Sequence, residues 1–92
     1  RFLKVYGNRV NLDELESLIR DEFDSAECAC AGTDDHVYVF STEASIASAM
    51  RAYLAKKTGL YEKAFTPVVL DEIPKNESGK TLYSELSFYY ES

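Results

Sequence analysis

Several residue types are scarce in this sequence, and each shortage excludes a class of function. It has no tryptophan, one histidine and two cysteines, which are too few ligands for a structural zinc site, so we expect no metal site. No apolar run approaches the ~20 residues of a membrane-spanning helix, so we expect no membrane partner. Lysine and arginine total 10 against 16 aspartate and glutamate, a net charge of −6. Without an excess of cations we expect no nucleic-acid partner.

The two cysteines, Cys28 and Cys30, are separated by one residue, so a strand would place both side chains on the same face. We interpret them as small core side chains rather than as a redox pair. Reduced thiols of this kind are typical of a cytoplasmic protein.

The length and composition are those of one small folded domain, which we assign to residues 1–92. The chain is 46% hydrophobic and 13% aromatic, but a chain this short buries only about 60% of its unfolded surface. It can therefore supply one wall of a substrate site but cannot enclose one. Because it does not begin with methionine and starts in strand-like sequence, we expect it to be a piece of a longer polypeptide.

The N-terminal part predicts a β-hairpin followed by a helix. The hairpin spans residues 2–10, with a glycine-containing turn at residues 7–8. Asn11 is the predicted N-cap of the helix, whose apolar residues recur at helical spacing. On the polar face of that helix, Glu16 and Arg20 are four residues apart and predict an exposed ion pair.

The rest of the chain alternates strands and helices, with two strands so close in sequence that they must pair antiparallel. The predicted fold class is α+β: an N-terminal β-hairpin followed by a small three-stranded sheet flanked by about three helices. The predicted elements are strands at 26–31 and 36–40, a helix from Ser41 or Thr42 to Lys57, a helical turn at 60–64, a third core strand over Val68–Ile73, a polar loop at 74–80 and a last helix at 81–90.

The loop at 74–80 ends in Gly79 and Lys80 between a strand and a helix, which suggests comparison with a phosphate-binding P-loop. That motif requires a glycine five residues before Gly79, where this chain has Pro74. The proline also hinders the continuous nest of N–H groups that holds a polyphosphate. We therefore reject the P-loop interpretation.

The two ends of the chain together carry a family resemblance. Residues 69–80 read VLDEIPKNESGK, an apolar strand leading into Ile-Pro, three residues and Ser-Gly-Lys. Residues 4–16 read KVYGNRVNLDELE, which contains Lys-x-x-Gly-x-Arg and then Glu-x-Glu. Both resemble motifs of the adenylate-forming ligases, the superfamily of acyl-CoA synthetases, nonribosomal peptide synthetase adenylation domains and luciferases. The resemblance covers nearly the whole chain, as the small C-terminal subdomain of that family.

This resemblance implies that the chain is part of an AMP-forming ligase. Such an enzyme adenylates a carboxylic acid with ATP and Mg²⁺ and then transfers the acyl group to the thiol of coenzyme A or of a phosphopantetheine on a carrier protein. An N-terminal adenylation domain of the same polypeptide is the implied partner and holds most of the ATP and Mg²⁺, so the isolated fragment is expected to be inactive. The implied division is hairpin 2–10, α/β core 11–73, catalytic-lysine loop 74–80 and C-terminal helix 81–90.

The resemblance also implies roles for two residues of the loop in the first half-reaction. Lys80 is the expected catalytic residue, because a mobile cation on a long stem suits the meeting of a carboxylate and an α-phosphate. Gly79 would let the loop backbone pass close to the nucleotide.

Three hairpin residues are the candidates for the second half-reaction, in which the subdomain rotates and the thiol arm passes beside the hairpin turn. These are Lys4, Gly7 and Arg9. Two structural alternatives stay open: Gly7 is only a turn glycine, or Arg9 pairs with Glu14 or Glu16.

One feature departs from the family pattern, because the connection between the first two core strands, residues 31–36, is shorter than usual. The departure leaves the subfamily open. A different class of function is the alternative to the ligase hypothesis: a stand-alone α+β interaction module whose loop and hairpin have no catalytic role.

Overall fold

The computed structural model describes residues 1–23 and 27–90. The first two strands form an antiparallel hairpin, β1 (Phe2–Val5) and β2 (Asn8–Asn11). Its turn is at Tyr6 and Gly7, which both have positive φ, at 51° and 83°. Two consecutive residues with positive φ are the pattern of a type I′ hairpin turn. The hairpin is confirmed, but the turn lies one residue earlier than predicted.

Helix α1 (Leu12–Glu22) follows directly, and Asn11 caps it as predicted. The carboxamide oxygen of Asn11 accepts the backbone N–H of Asp13 at 2.9 Å and that of Glu14 at 3.4 Å. The predicted ion pair of Glu16 with Arg20 is present, at 3.8 Å. The predicted exposure of Glu16 is wrong, because its side chain is only 8% exposed and other partners hold the carboxylate inside the molecule.

Strands β3 (Cys28–Thr33) and β4 (His36–Ser41) pair antiparallel, as predicted from their short connection. The predicted start of β3 at residue 26 lies outside the described residues. Helix α2 (Ala44–Thr58) ends at Gly59, and a 3₁₀ turn (Glu62–Ala64) leads into β5. Strand β5 pairs parallel to β4, which gives a mixed sheet in the order β3-β4-β5.

Strand β5 spans Phe65–Val69, not the predicted Val68–Ile73. Pro67 can lie inside it because β5 is an edge strand, where a missing N–H leaves no ladder bond unmade. The strand begins early because Phe65 is buried against the core. Ile73 is also buried, but it belongs to the irregular segment beyond the strand.

The C-terminal helix is shorter than predicted. Helix α3 spans only Tyr83–Leu86 and continues as a 3₁₀ turn, Ser87–Tyr89. Thr81 is not helical because it forms a β-bridge with Lys75. The N–H of Leu82 donates to the Pro74 carbonyl at 2.9 Å, so the backbone just before α3 belongs to the loop.

The three-stranded sheet separates two apolar layers, as the period-two alternation of its side chains requires. One face, with Cys30 and Val39, packs against α1 and α2. The other face, with Phe40, is covered by the C-terminal segment through Ile73 and Leu86. The α+β fold class is confirmed: a two-stranded hairpin, a three-stranded mixed sheet and three helices. None of the helices within residues 1–23 and 27–90 is long and apolar enough to cross a membrane.

The predicted core role of the cysteines is also confirmed, since both are free thiols packed in the layer beneath α1. Burial, with a smaller contribution from the nearby Glu16 charge, raises the pKa of Cys28 to about 11. The same causes raise the pKa of the fully buried Cys30 well above its ordinary value.

We therefore expect iodoacetamide at pH 8 to alkylate both cysteines about 100-fold more slowly in the folded chain than in guanidinium chloride. The reason is that only the thiolate reacts, and burial suppresses both its formation and its access. Mass spectrometry of timed, quenched samples measures the two rates. A folded protein alkylated at the unfolded rate at either position would contradict the assignment.

Candidate functional site

The loop at 74–80 is a closed turn organised by one side chain, that of Asn76. Its carboxamide oxygen accepts the backbone N–H of Ser78 at 2.9 Å and that of Lys80 at 3.0 Å. The N–H of Asn76 donates to the Lys80 carbonyl at 2.9 Å, and the N–H of Gly79 donates to the Asn76 carbonyl at 3.0 Å. These bonds fix the backbone from which the Lys80 side chain extends.

Gly79 has a conformational reason to be glycine. Its φ is +83°, in the left-handed region that other residues rarely adopt. A Cβ added there would have nothing within 4 Å. The glycine therefore leaves open surface next to Lys80, so a ligand could approach the loop backbone closely.

The two lysines of the loop differ in their partners. The Lys75 ammonium forms an ion pair and a hydrogen bond with the Glu27 carboxylate. Lys80 is exposed and forms no ion pair with any residue in the described part of the chain. A cation on a fixed backbone, without an internal partner, is available to an anionic ligand.

The hairpin brings Lys4 and Arg9 directly opposite each other in the register of β1 and β2, both on its exposed side. The Arg9 guanidinium carbon lies 4.0 Å from the centre of the Phe2 ring. Over residues 1–23 and 27–90, Arg9 forms no ion pair with Glu14 or Glu16, so that alternative is not what the structure shows. Like charges facing each other across a strand pair are unfavourable, and an anionic ligand would relieve this repulsion.

Gly7 lies at the tip of the same hairpin, with φ +83° and nothing within 4 Å of the position of an added Cβ. The left-handed turn alone accounts for a glycine here. The open space adds a second property, since the tip presents bare backbone next to the two cations.

A groove of about 350 Å³ adjoins the hairpin on the side of α1 and the end of α2. Arg9 and Lys57 contribute cationic groups to it, Glu14 contributes an anionic one, and Leu15, Leu18 and Leu60 contribute apolar surface. The groove therefore combines charges of both signs with a partly apolar wall.

Asp34 and Asp35, in the β3-β4 turn, hold the hairpin in place, and sequence reasoning missed this role. The carboxylates of Asp34 and Asp35 accept the backbone N–H of Lys4 at 3.0 Å and of Tyr6 at 2.7 Å, respectively. The N–H of Asp35 donates to the Lys4 carbonyl at 2.8 Å. The short β3-β4 connection thus fixes the position of Gly7, and two consecutive aspartates in a turn were the available signal.

Glu16 is the centre of a second network that the sequence did not reveal. Its carboxylate accepts the Cys30 N–H at 2.8 Å, an Arg1 guanidinium N–H at 2.9 Å and the Tyr83 hydroxyl at 2.9 Å. Arg1 also donates to the Cys30 carbonyl at 2.9 Å and to Asp13 at 2.9 Å. Since β3 is an edge strand, Glu16 and Arg1 together satisfy the open edge of Cys30.

The charges of this network perturb the pKa values of its members. Burial raises the pKa of Tyr83 to about 12, with the hydrogen bond to Glu16 and the Glu16 charge adding to the effect. Burial lowers the pKa of Arg1, but the hydrogen bond to Asp13 and the Glu16 charge outweigh it and leave a net increase. The hydrogen bond from Arg1 lowers the pKa of Asp13. At neutral pH Tyr83 is therefore a neutral phenol and Arg1 a charged guanidinium.

The structure places the predicted site residues in two groups. Lys4, Gly7 and Arg9 lie together on the hairpin, and Gly79 and Lys80 lie together on the loop. In the described ranges no hydrogen bond or ion pair joins the hairpin turn to the loop.

No protein-family model matches this sequence, and no curated protein matches it significantly. Among solved structures, the chain is similar to the unliganded form of O-succinylbenzoate coenzyme A synthetase (MenE) from Bacillus subtilis. The two are 24% identical with a TM-score of 0.61, over 96% of this chain and 19% of that one. The chain thus spans about a fifth of that enzyme. Its fold is that of the matched part of this enzyme.

Proposed function

We propose that residues 1–92 form the mobile C-terminal subdomain of an AMP-forming ligase that adenylates a carboxylic acid and transfers the acyl group to a thiol. The observation that carries this proposal is the pair of lysines in loop 74–80. Lys75 is paired with Glu27, whereas Lys80, beside an open glycine, forms no ion pair with residues 1–23 or 27–90. The fold similarity to an acyl-CoA synthetase supports the same assignment.

Lys80 is the proposed catalytic residue of the adenylation step. Its ammonium would donate to the substrate carboxylate and to oxygens near the α-phosphate of ATP, which offsets the repulsion between the two anions. Loop bonds to Asn76 fix the backbone of Lys80, while the long side chain keeps the reach that the reaction needs. The loop thus supplies one cation, and the other contacts to ATP and the carboxylic acid would come from the N-terminal adenylation domain.

The residues of this chain fit ATP and Mg²⁺ only in part. The open surface beside Gly79 and the unpaired Lys80 suit contact with a phosphate group. In the described part of the chain no cluster of three or more His, Cys, Asp or Glu side chains could hold a metal ion. The magnesium would therefore be held by the N-terminal adenylation domain and by the phosphates, which the metal helps to neutralise.

The hairpin is the proposed surface for the thiol substrate, coenzyme A or the phosphopantetheine of a carrier protein. Gly7 would lie along the narrow thiol arm, and Lys4 and Arg9 would face its phosphate groups. The support is geometric: two opposed cations that have no ion-pair partner among the described residues, and a bare backbone tip held by Asp34 and Asp35. Rotation of the subdomain would move Lys80 away from the reaction centre and bring this hairpin to it.

The 92-residue chain alone should fold but should not turn over ATP. The reason is that the family resemblance places the adenine and acyl sites in the N-terminal adenylation domain. The full reading frame that encodes it should catalyse ATP-pyrophosphate exchange with at least one acid from a panel of aliphatic, aromatic and amino acids. Incorporation of radiolabelled pyrophosphate into ATP measures the exchange activity of the 92-residue chain and of the full-length protein.

Two outcomes would contradict this assignment. Exchange by the 92-residue chain would show that the isolated subdomain is itself active. An absence of exchange by the full-length protein with every acid would favour the alternative, a stand-alone interaction module.

A further inference from the structure

The buried carboxylate of Glu16 joins parts of the chain that lie far apart in sequence. It binds the start of the chain through Arg1, the edge of β3 through Cys30 and the start of α3 through Tyr83. Removing any partner would leave charge or polar groups buried without compensation, which is costly inside a protein. The arrangement is therefore rigid compared with an exposed ion pair.

Tyr83 connects this network to the loop that carries Lys80. Only residues 81 and 82 separate Lys80 from Tyr83, and both are held: Thr81 bridges Lys75, and Leu82 donates to the Pro74 carbonyl at 2.9 Å. The two sides of the loop base, residues 74–75 and 81–82, are thus hydrogen-bonded to each other, and the second side leads directly into Tyr83. A displacement of Tyr83 would carry the base of the loop with it.

Two contacts fix Tyr83 itself. Its hydroxyl lies 2.9 Å from both oxygens of Glu16, and the Arg1 guanidinium carbon lies 3.6 Å from the centre of its ring. One contact depends on the hydroxyl and the other on the ring face, so Tyr83→Phe removes the first and keeps the second.

We propose that Tyr83 is a positioning residue for Lys80: its hydrogen bond to the buried Glu16 carboxylate holds the base of loop 74–80 in register with α1 and with the start of the chain. This inference rests on the proposed function for its catalytic consequence, but the anchoring of the loop is a property of this chain alone. Glu16 and Arg1 act through Tyr83 and do not contact a substrate.

The first test is kinetic and uses the full-length protein. Tyr83→Phe should lower kcat for pyrophosphate exchange by about 10- to 100-fold, the scale of misplacing a catalytic group, with little change in the KM for ATP. Transfer from pre-made acyl-adenylate to the thiol should be unchanged. Tyr38→Phe is the matched control, since this half-buried tyrosine stacks on Tyr90 at 5.0 Å and lies outside the Glu16 network.

A double-variant cycle with Lys80→Ala separates positioning from general destabilisation. If Tyr83 acts through Lys80, Tyr83→Phe should cause no further loss of exchange once Lys80 is alanine. The same fold-loss in both backgrounds, or a wild-type kcat for Tyr83→Phe, would overturn the inference. If instead the full-length protein shows no exchange with any acid, or Lys80→Ala has no effect, the proposed function fails.

The second test does not depend on activity. Hydrogen exchange on the same polypeptide should be faster at the Lys80 and Leu82 amides in Tyr83→Phe than in Tyr38→Phe, with unchanged protection in α2. Unchanged exchange at both loop amides would overturn the anchoring whatever the enzyme does.

Discussion

Lys80→Ala in the full-length enzyme should lower the rate of acyl-adenylate formation by about 10²- to 10³-fold, the cost of losing one preorganised electrostatic contact. Thioester formation from pre-made acyl-adenylate should be largely unaffected, because in the proposed mechanism the lysine faces the reaction centre only in the first conformation. Pyrophosphate exchange measures the first half-reaction, and thioester formation from supplied adenylate measures the second.

The structure offers a matched control for this variant in the same loop. Lys75→Ala also removes one lysine from loop 74–80, but its ammonium is already paired with Glu27. We expect Lys75→Ala to lose an exposed ion pair worth about 0 to 1 kcal/mol of folding free energy and to leave the exchange rate unchanged. Equal losses in the two Lys80→Ala half-reactions, or equal effects of the two lysine variants, would refute the role of Lys80.

Gly7→Leu should have the opposite profile. A bulky side chain at the hairpin tip would block the thiol arm without affecting the nucleotide, so pyrophosphate exchange should persist while thioester formation falls by at least about 10²-fold, the scale of a misplaced reactant. The added side chain meets no atom within 4 Å of its Cβ in this chain, so any block must come from the bound thiol or the partner domain.

Backbone strain is the competing explanation, since φ at Gly7 is +83° and a leucine there would cost about 1–2 kcal/mol. Two controls separate strain from blockage. Gly59→Leu places the same side chain at a similar φ of +74° in open space at the end of α2. Gly7→Asn tolerates the left-handed turn but still adds bulk. If both Gly7 variants transfer the acyl group normally at wild-type Tm, Gly7 is only a turn residue.

Features that depend on neighbours in sequence were predictable. Asn11 caps α1 because its side chain reaches N–H groups only two and three residues ahead. The close spacing of β3 and β4 forces their antiparallel pairing. The motif in residues 69–80 placed the lysine loop between a strand and a helix, and the structure has that order.

Boundary errors occurred where a distant partner decided the outcome. Strand β5 starts at Phe65 because the core buries that side chain, and Pro67 is tolerated because the strand lies at an edge. The observed turn is at Tyr6 and Gly7, one residue before the predicted position. There the N–H of Tyr6 donates to the carboxylate of Asp35, which lies in the β3-β4 turn. Neither partner lies within the window from which local propensity is read.

The sequence by itself determined the hairpin, the capped first helix, the core cysteines and the polar loop that carries Lys80, because turns, caps and polar loops depend on residues close along the chain. Only the tertiary structure decided that Glu16 is buried and that Tyr83 binds it across a separation of 67 residues. Helical spacing placed Glu16 four residues from Arg20 and so suggested an exposed pair. In the structure the Glu16 carboxylate is instead buried against the edge of β3. It accepts the Cys30 N–H, which has no strand partner there, and it pairs with the Arg1 guanidinium, which offsets its charge.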